Sequence, residues 1–242
     1  MLFVIDLGNT NLALGLYEGS ELIYHWRLST EHARMPDEYG IQFRSLLEHN
    51  NIAIHAINAI CLSSVVPPLT ERVIETCQTY LDLTPMLVTA DLKLNVSIKY
   101  EEPKEVGADR IADAVEVQRL YGGPACIIDF GTATTFNALT AAGEYLGGSI
   151  LPGVQVSADA LVQRTSKLPS VSLETPPSVI GRNTTDAIRA GLVFGYVSLV
   201  EGMIARYRKE LGDPMKVIAT GGFVNVISQH TNAITIVKPW LT

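Results

Sequence analysis

A short pattern near the start of the chain returns in its middle, and it constrains the fold more than any other feature. Residues 4–8 read Val-Ile-Asp-Leu-Gly and residues 127–131 read Ile-Ile-Asp-Phe-Gly, so Asp129 follows Asp6 by 123 positions. Each copy is a short apolar strand ending in Asp, with Gly after one intervening residue. A Thr-containing stretch and a second apolar strand come next, Asn11 to Tyr17 in one half and Ala133 to Leu139 in the other. Gly-acidic clusters, Glu18-Gly19-Ser20-Glu21 and Ala142-Gly143-Glu144, turn each half into a third strand that runs to about Leu28 or Leu151. The order strand–turn–strand–turn–strand therefore occurs twice.

Helical and strand signals follow each triplet. Pro36 to His49 carries Tyr39, Phe43, Leu46 and Leu47 near helical spacing, and polar capping types precede it. Ala56 to Ser64 reads as a strand, Leu69 to Leu81 as a helix and Met86 to Val88 as a short strand. Gly107 to Tyr121 reads as a helix with Ile111, Val115 and Leu120 on one face. In the second half, Gly153 to Gln163 and Thr184 to Leu211 read as helices. Lys216 to Thr220 and Ile234 to Val237 read as strands, with Gly221-Gly222 opening a turn between them. Three antiparallel strands feeding helices and parallel strands, twice over, describe an α/β duplicated ribonuclease-H-like fold, that of the actin-like ATPases. It has two similar domains of mixed sheets flanked by helices, expected over residues 1–121 and 122–242. By the same pattern a helix equivalent to 107–121 should close the second half, and the chain stops at Thr242 where it would begin.

Composition removes several function classes. Hydrophobic residues make up 47% and charged residues 18%, enough apolar surface for packed cores and against a disordered chain. A net charge of -7 gives no support to nucleic-acid binding, which needs an excess of Lys and Arg. No run approaches 18 uninterrupted apolar residues, so no membrane span is expected. The opening Met1-Leu2-Phe3-Val4-Ile5-Asp6 has no basic region before its apolar stretch and reads as a first strand, not a signal peptide. Cys61, Cys77 and Cys126 have no metal or disulfide spacing and suit a reducing, cytoplasmic compartment. The five histidines are scattered and read as surface or loop residues.

Three motifs carry the chemistry. In Asp6-Leu7-Gly8-Asn9-Thr10, Gly8 permits a tight turn that can present backbone N–H groups and the Thr10 hydroxyl to an anion. Asp6, at the carboxyl end of a strand, is placed to hold a magnesium ion through water. The second copy, Asp129-Phe130-Gly131-Thr132-Ala133-Thr134-Thr135, suits another phosphate or cation contact. Two facing strand ends, each with an Asp, would grip a nucleoside triphosphate from both sides. The third motif, Val106-Gly107-Ala108-Asp109-Arg110, opens a helix. Gly107 lets backbone approach a ligand, Asp109 suits a general base, and Arg110 suits bidentate pairing with a carboxylate. P-loop, protein-kinase and dinucleotide-binding signatures are absent from the sequence.

These segments, together with Gly147-Gly148-Ser149-Ile150-Leu151-Pro152-Gly153, Leu168-Pro169 and Gly181-Arg182-Asn183-Thr184, resemble the type III pantothenate kinases over nearly the whole chain. The resemblance implies ATP-dependent phosphorylation of the primary hydroxyl of pantothenate, the first committed step toward coenzyme A. It implies an ATP phosphate loop of Asp6, Leu7, Gly8, Asn9, Thr10, Asn11, Leu12 and Ala13, with Thr132 as a second nucleotide contact. It also implies magnesium at Asp6, a potassium or ammonium ion at Asp129, and Asp109 as catalytic base. Tyr100, Gly107, Ala108, Asp109 and Arg110 would line the pantothenate pocket, and Thr184 would reach the substrate across a homodimer interface. Gly191 and Gly195 suit close helix approach in such a dimer, and equally ordinary core packing. Asn137 stands where the family usually has an acidic residue, and Asp113 where Asn is common. The rival readings are another small-molecule kinase on the same scaffold, or a nucleotide-binding regulator without turnover.

Overall fold

The computed structural model describes all residues, 1–242, and the chain divides into two compact units. Residues 1–92 and 104–112, with Thr242, form the first; residues 93–103 and 113–241 form the second.

The first unit is built around β1 (Leu2–Leu7). Phe3, Ile5 and Leu7 are buried while Leu2, Val4 and Asp6 are only partly covered, the period-two signature of a strand with one core face. β2 (Asn11–Glu18) and β3 (Glu21–Ser29) add antiparallel neighbours on one side. β4 (Ala59–Ser64) and β5 (Met86–Leu87) add parallel ones on the other, giving the order β3-β2-β1-β4-β5. Phe3, Ile5 and Leu7 share a core with Tyr39, Phe43 and Leu47 of α1 (Pro36–His49) and Leu69, Val73 and Cys77 of α2 (Pro67–Leu81). Both helices open on proline, which loses no helical hydrogen bond at that position. Gly40 lets them meet closely: a Cβ there would fall 2.2 Å from the Tyr80 ring, whose hydroxyl donates to Asp37 Oδ1 at 2.7 Å.

The second unit repeats this plan. β6 (Ser97–Ile98) lies parallel to the edge of a sheet containing β7 (Ala125–Phe130), β8 (Ala133–Leu139) and β9 (Glu144–Pro152), which are successively antiparallel. β10 (Lys216–Gly221) and β11 (Ile236–Val237) extend it on the far side in parallel, giving β11-β10-β7-β8-β9-β6. Without β6, this order matches the first sheet strand for strand. α3 (Ala108–Leu120) begins in the first unit and continues from Asp113 in the second, and α4 (Val154–Arg164), α5 (Thr184–Leu211) and α6 (Val224–Ser228) complete the helices.

Length and composition alone would let α5 cross a bilayer, with a mean hydropathy of 1.5 over 18 residues. One of its faces instead supplies Leu192, Tyr196, Val197, Val200 and Ile204 to the core of the second unit, against Cys126, Ile128 and Phe136.

Several boundaries differ from the sequence reading. β4 begins at Ala59, because Ile54–Ala56 turns as a short 3-10 helix. The buried stripe of α3 is Ile111, Ala114 and Val117, while Leu120 in its last turn is 44% exposed. α6 occupies the expected turn after Gly222, and β6 was not expected at all. A two-residue strand has no period to detect, and a five-residue helix rich in β-branched residues has little more.

Candidate active site

In the first unit, the functional side chains gather at the carboxyl end of β1. Gly8 N–H donates to Asn11 O at 3.0 Å, closing the tight turn between β1 and β2. The turn is fastened from the neighbouring strand end: Thr30 Oγ1 donates to Gly8 O at 2.7 Å and Thr30 N–H to Thr10 O at 2.9 Å. Asn9, Thr10 and Asn11 are exposed at its tip. Leu7 and Leu12, by contrast, are fully buried in the core, so at a ligand they can contribute backbone only.

Asp6 points from this strand end into a confined acidic setting. Ser63, its partner across the parallel β1–β4 register, donates from Oγ to Asp6 Oδ1 at 2.9 Å. Burial, reinforced by the negative charge of Asp109, pushes the Asp6 carboxyl up from 3.8 to about 6. The Ser63 hydrogen bond and the charge of Arg27 oppose that rise.

Asp109 sits in the first turn of α3 and is also driven up by burial, while the Arg110 backbone N–H and guanidinium pull it down. Its Oδ1 accepts from Arg110 N–H at 2.7 Å. Gly107 makes room for it: a Cβ there would fall 2.5 Å from Asp109 Oδ1 and 3.3 Å from a Val65 methyl. Arg110 itself is buried, as is Ala108. A carboxylate held above its ordinary range is a stronger proton acceptor than a fully solvated one.

In the second unit, the turn after β7 is also closed by its glycine but is one residue shorter. Gly131 N–H donates to Ala133 O at 3.1 Å, and Gly153 N–H donates to Thr132 O at 3.0 Å. Gly153 precedes α4, and a Cβ there would collide with the Thr132 and Gly131 carbonyls at 2.3 and 2.5 Å. The first turn of α4 is thereby pinned to the 131–132 turn, with Thr132 exposed. Asp129 is enclosed by backbone, since Cβ atoms built on Gly221 and Gly131 would fall 2.4 and 3.1 Å from its two carboxylate oxygens. Thr220, buried, faces it in the parallel register. Asn137 is fully buried and accepts from Tyr145 Oη at 2.9 Å while donating to Thr135 Oγ1 at 3.2 Å, a neutral role that an acidic residue would not fill in the same way.

Two further residues singled out in the sequence also lie in this unit. The Tyr100 ring packs on Gly147, whose φ of +114° and missing Cβ leave room for it. Thr184 opens α5, where Asn183 Oδ1 caps the helix by accepting from Asp186 N–H at 2.8 Å. Beside Thr184 is an apolar depression of about 470 Å³, bordered by Leu161, Leu168, Ile188, Gly191 and Leu192. A separate depression of about 630 Å³ lies around Met1, Tyr24 and Asn51, at the opposite end of β1 from Asp6.

A family model describing type III pantothenate kinases matches residues 2–206, a span that takes in both Asp-containing turns, the head of α3 and the capped start of α5. The chain belongs to the type III pantothenate kinase family. That family membership makes it a phosphotransferase and implies ATP with magnesium.

Solved structures similar to this pantothenate kinase family member agree on the fold. A protein described as a Baf family transcriptional activator from Campylobacter jejuni is 17% identical, with a TM-score of 0.61, over 99% of this chain and 92% of that one. A protein described as an N-acetylglucosamine kinase from Porphyromonas gingivalis is 13% identical, with a TM-score of 0.51, over 100% and 95%. The inorganic polyphosphate/ATP-glucomannokinase of an Arthrobacter strain gives 13% and 0.51, over 98% and 90%. These confirm the duplicated actin-like ATPase fold and nothing finer.

Sequence reasoning passed over Ser63, Thr220 and Thr30. The signal for the first two was available only as a hydroxyl near the end of an apolar strand, Ala59–Ser64 or Lys216–Gly221. Which hydroxyl faces which carboxylate depends on parallel register, which a sequence does not display.

Proposed function

We propose that this chain transfers the γ-phosphoryl group of ATP to the primary hydroxyl of pantothenate, giving 4'-phosphopantothenate and ADP at the entry to coenzyme A synthesis. The observation that carries this reading is Asp109, a covered carboxylate of raised pKa at the head of α3 that shares the β1 end with Asp6 in a chain of this family. In the reaction Asp109 accepts the hydroxyl proton as that oxygen attacks the γ-phosphorus and the bond to the ADP oxygen breaks. Residues 6–13 hold the phosphates through the Gly8 turn, and Thr132 adds a second contact. Gly107, Ala108, Arg110 and Tyr100 bind pantothenate, Arg110 by pairing with its carboxylate or by orienting Asp109.

No cluster of three or more His, Cys, Asp or Glu side chains is present to enclose a metal ion. A carboxylate at a strand end, such as Asp6, suits magnesium in its nucleotide-bound form, where phosphate and water complete the shell. Asp6 would hold it, and it would neutralise charge on the transferring phosphoryl group. Asp129, framed by the Gly131 and Gly221 backbone, fits a weakly bound potassium or ammonium ion through its carboxylate and neighbouring oxygens.

The assay is ADP release from ATP and magnesium, with and without pantothenate, in potassium and then sodium buffer. Pantothenate-dependent release, higher in potassium, is expected. Release that ignores pantothenate overturns the substrate, and equal rates in both salts overturn the cation at Asp129. Bound ATP with no release in any buffer would instead favour a regulator without turnover.

The active form is proposed to be a homodimer in which Thr184 serves the partner's substrate. Gly191 and Gly195 support this: both are on the exposed side of α5, and a Cβ on either would meet nothing within 4 Å in its own chain. Core packing therefore does not explain them, and close approach by a second helix would. Val179 and Ile180, 67% and 75% exposed a few residues before α5, are further large apolar side chains left uncovered in the single chain. Gly195→Arg is expected to keep the chain folded, since glycine weakens a helix interior, while sedimentation shifts from dimer to monomer, the concentration dependence of the melting temperature is lost and activity falls. A variant that stays dimeric sinks this arrangement.

A further inference from the structure

Strand register places Arg27, Ala13, Asp6 and Ser63 in one row across β3, β2, β1 and β4, with their side chains on the same face of the sheet. The equivalent row of the second unit reads Ile150, Thr135, Asp129 and Thr220. Both rows keep the carboxylate and the hydroxyl beside it. The cation is present in the first row alone, so the two copies of one scaffold differ at this position in their capacity to receive an anion.

The spacing of the first row suits a phosphate. Neighbouring strands lie ~4.8 Å apart, so the Arg27 and Asp6 backbones are separated by two such steps, roughly 10 Å. Ala13 lies between them and fills little of that gap. Arg27 is on the exposed side of β3, three residues before Thr30, whose two hydrogen bonds hold the Gly8–Thr10 turn. The arginine and the turn are therefore fixed to each other. Its charge also reaches across the gap, since it acts on the Asp6 carboxyl. Asp6 and Asp109 make this end of the sheet acidic, and a nucleotide tail adds further negative charge, which a guanidinium offsets through short charge-assisted bonds.

We propose that Arg27 binds the polyphosphate of the nucleotide over Ala13, from the β3 side of the Gly8 turn. This rests on the nucleotide-binding part of the function proposed above and adds a residue to it. Arg27 is a binding residue here, with no part in proton transfer.

The test is calorimetric affinity of the full chain for ATP, ADP and adenosine, with magnesium and again in EDTA, for the wild type, Arg27→Gln and Arg27→Lys. Loss of charge-assisted bonds should weaken ATP and ADP roughly 10- to 100-fold in Arg27→Gln. Adenosine, lacking phosphate, should bind as before, and Arg27→Lys should recover part of the loss as a point charge without the guanidinium fork. Unchanged ATP and ADP affinity in Arg27→Gln overturns the proposal. So does an equal loss for adenosine, or a loss present with magnesium and absent in EDTA, which would make Arg27 a partner of the Asp6 ion. Binding is read without turnover, so the two proposals fail separately. A wild type that binds ATP yet phosphorylates no pantothenate removes the substrate assignment and leaves the Arg27 result standing, whereas a wild type that binds no nucleotide removes both.

Discussion

Asp109→Asn is expected to bind magnesium-ATP and pantothenate as the wild type does and to turn over on the order of 10²–10⁴-fold more slowly, the usual contribution of a positioned general base. The substitution keeps the shape that the site demands. An amide oxygen can still accept from Arg110 N–H, and the side chain still fits the space left by the absent Gly107 side chain. Only proton acceptance is lost. Because burial raises the Asp109 carboxyl, the acid limb of the wild-type kcat–pH profile should lie above the ordinary aspartate range, with activity rising as the carboxyl ionises. The residual activity of the variant should lose the Asp109 contribution to that limb and keep only the part that Asp6 imposes. Stopped-flow or coupled ADP assays run from acid to neutral pH provide the readout. Wild-type turnover in Asp109→Asn would remove it from the role of base.

Asp6→Asn is expected to abolish magnesium-dependent turnover and, at the same time, to make the protein more stable at neutral pH. The sign follows from the raised pKa. An Asp that titrates near 3.8 when unfolded and at about 6 when folded binds its proton more tightly in the native state. Native stability from this group is therefore fully present below about 4 and is lost as pH rises from there to about 6. At neutral pH the ionised carboxylate costs the fold on the order of 2–3 kcal/mol. Asparagine has no such penalty, and its side-chain oxygen can still accept from Ser63. Thermal melts without divalent cations should show a higher melting temperature for Asp6→Asn at pH 8, with the difference shrinking as pH falls toward 4. Adding magnesium and nucleotide should stabilise the wild type more than the variant, because a bound cation relieves the repulsion that Asp109 adds. A variant that melts lower than the wild type at pH 8 would contradict the raised pKa. One that retains magnesium-dependent activity would remove Asp6 from the ion site.

Both substitutions remove a covered carboxylate at the cost of activity. The site holds two covered carboxylates, Asp6 and Asp109, at one end of a sheet whose opposite face carries an entirely apolar core of Phe3, Ile5, Leu7, Tyr39 and Phe43. Clustering like charges there disfavours folding and gives the site its affinity for a cation and an acceptor for a proton.

The features with short sequence range were legible in advance. The Asp-x-Gly pair at residues 6–8 and 129–131, the alternation of β1 and β7, and helix α1 over Pro36–His49 and α5 over Thr184–Leu211 depend on neighbours a few positions apart. Periodicity, turn glycines and caps encode them directly. Repetition of the pattern determined that the fold is duplicated, and the ordered motifs led to the family. What the chain does with Ser63, Thr220, Thr30 and Arg27 was decided only by tertiary structure. Ser63 is 57 residues from the carboxylate it bonds, and Thr30 is 22 from the carbonyl it holds. Their meaning comes from strand register and sheet order, which are set by packing of the whole core and by a one-residue precision that no local pattern carries. The sequence by itself thus determined the acidic groups and the turns that present them. The tertiary structure decided which hydroxyls and which cation stand beside those groups, because side chains far apart in the chain become neighbours only when the sheet is assembled.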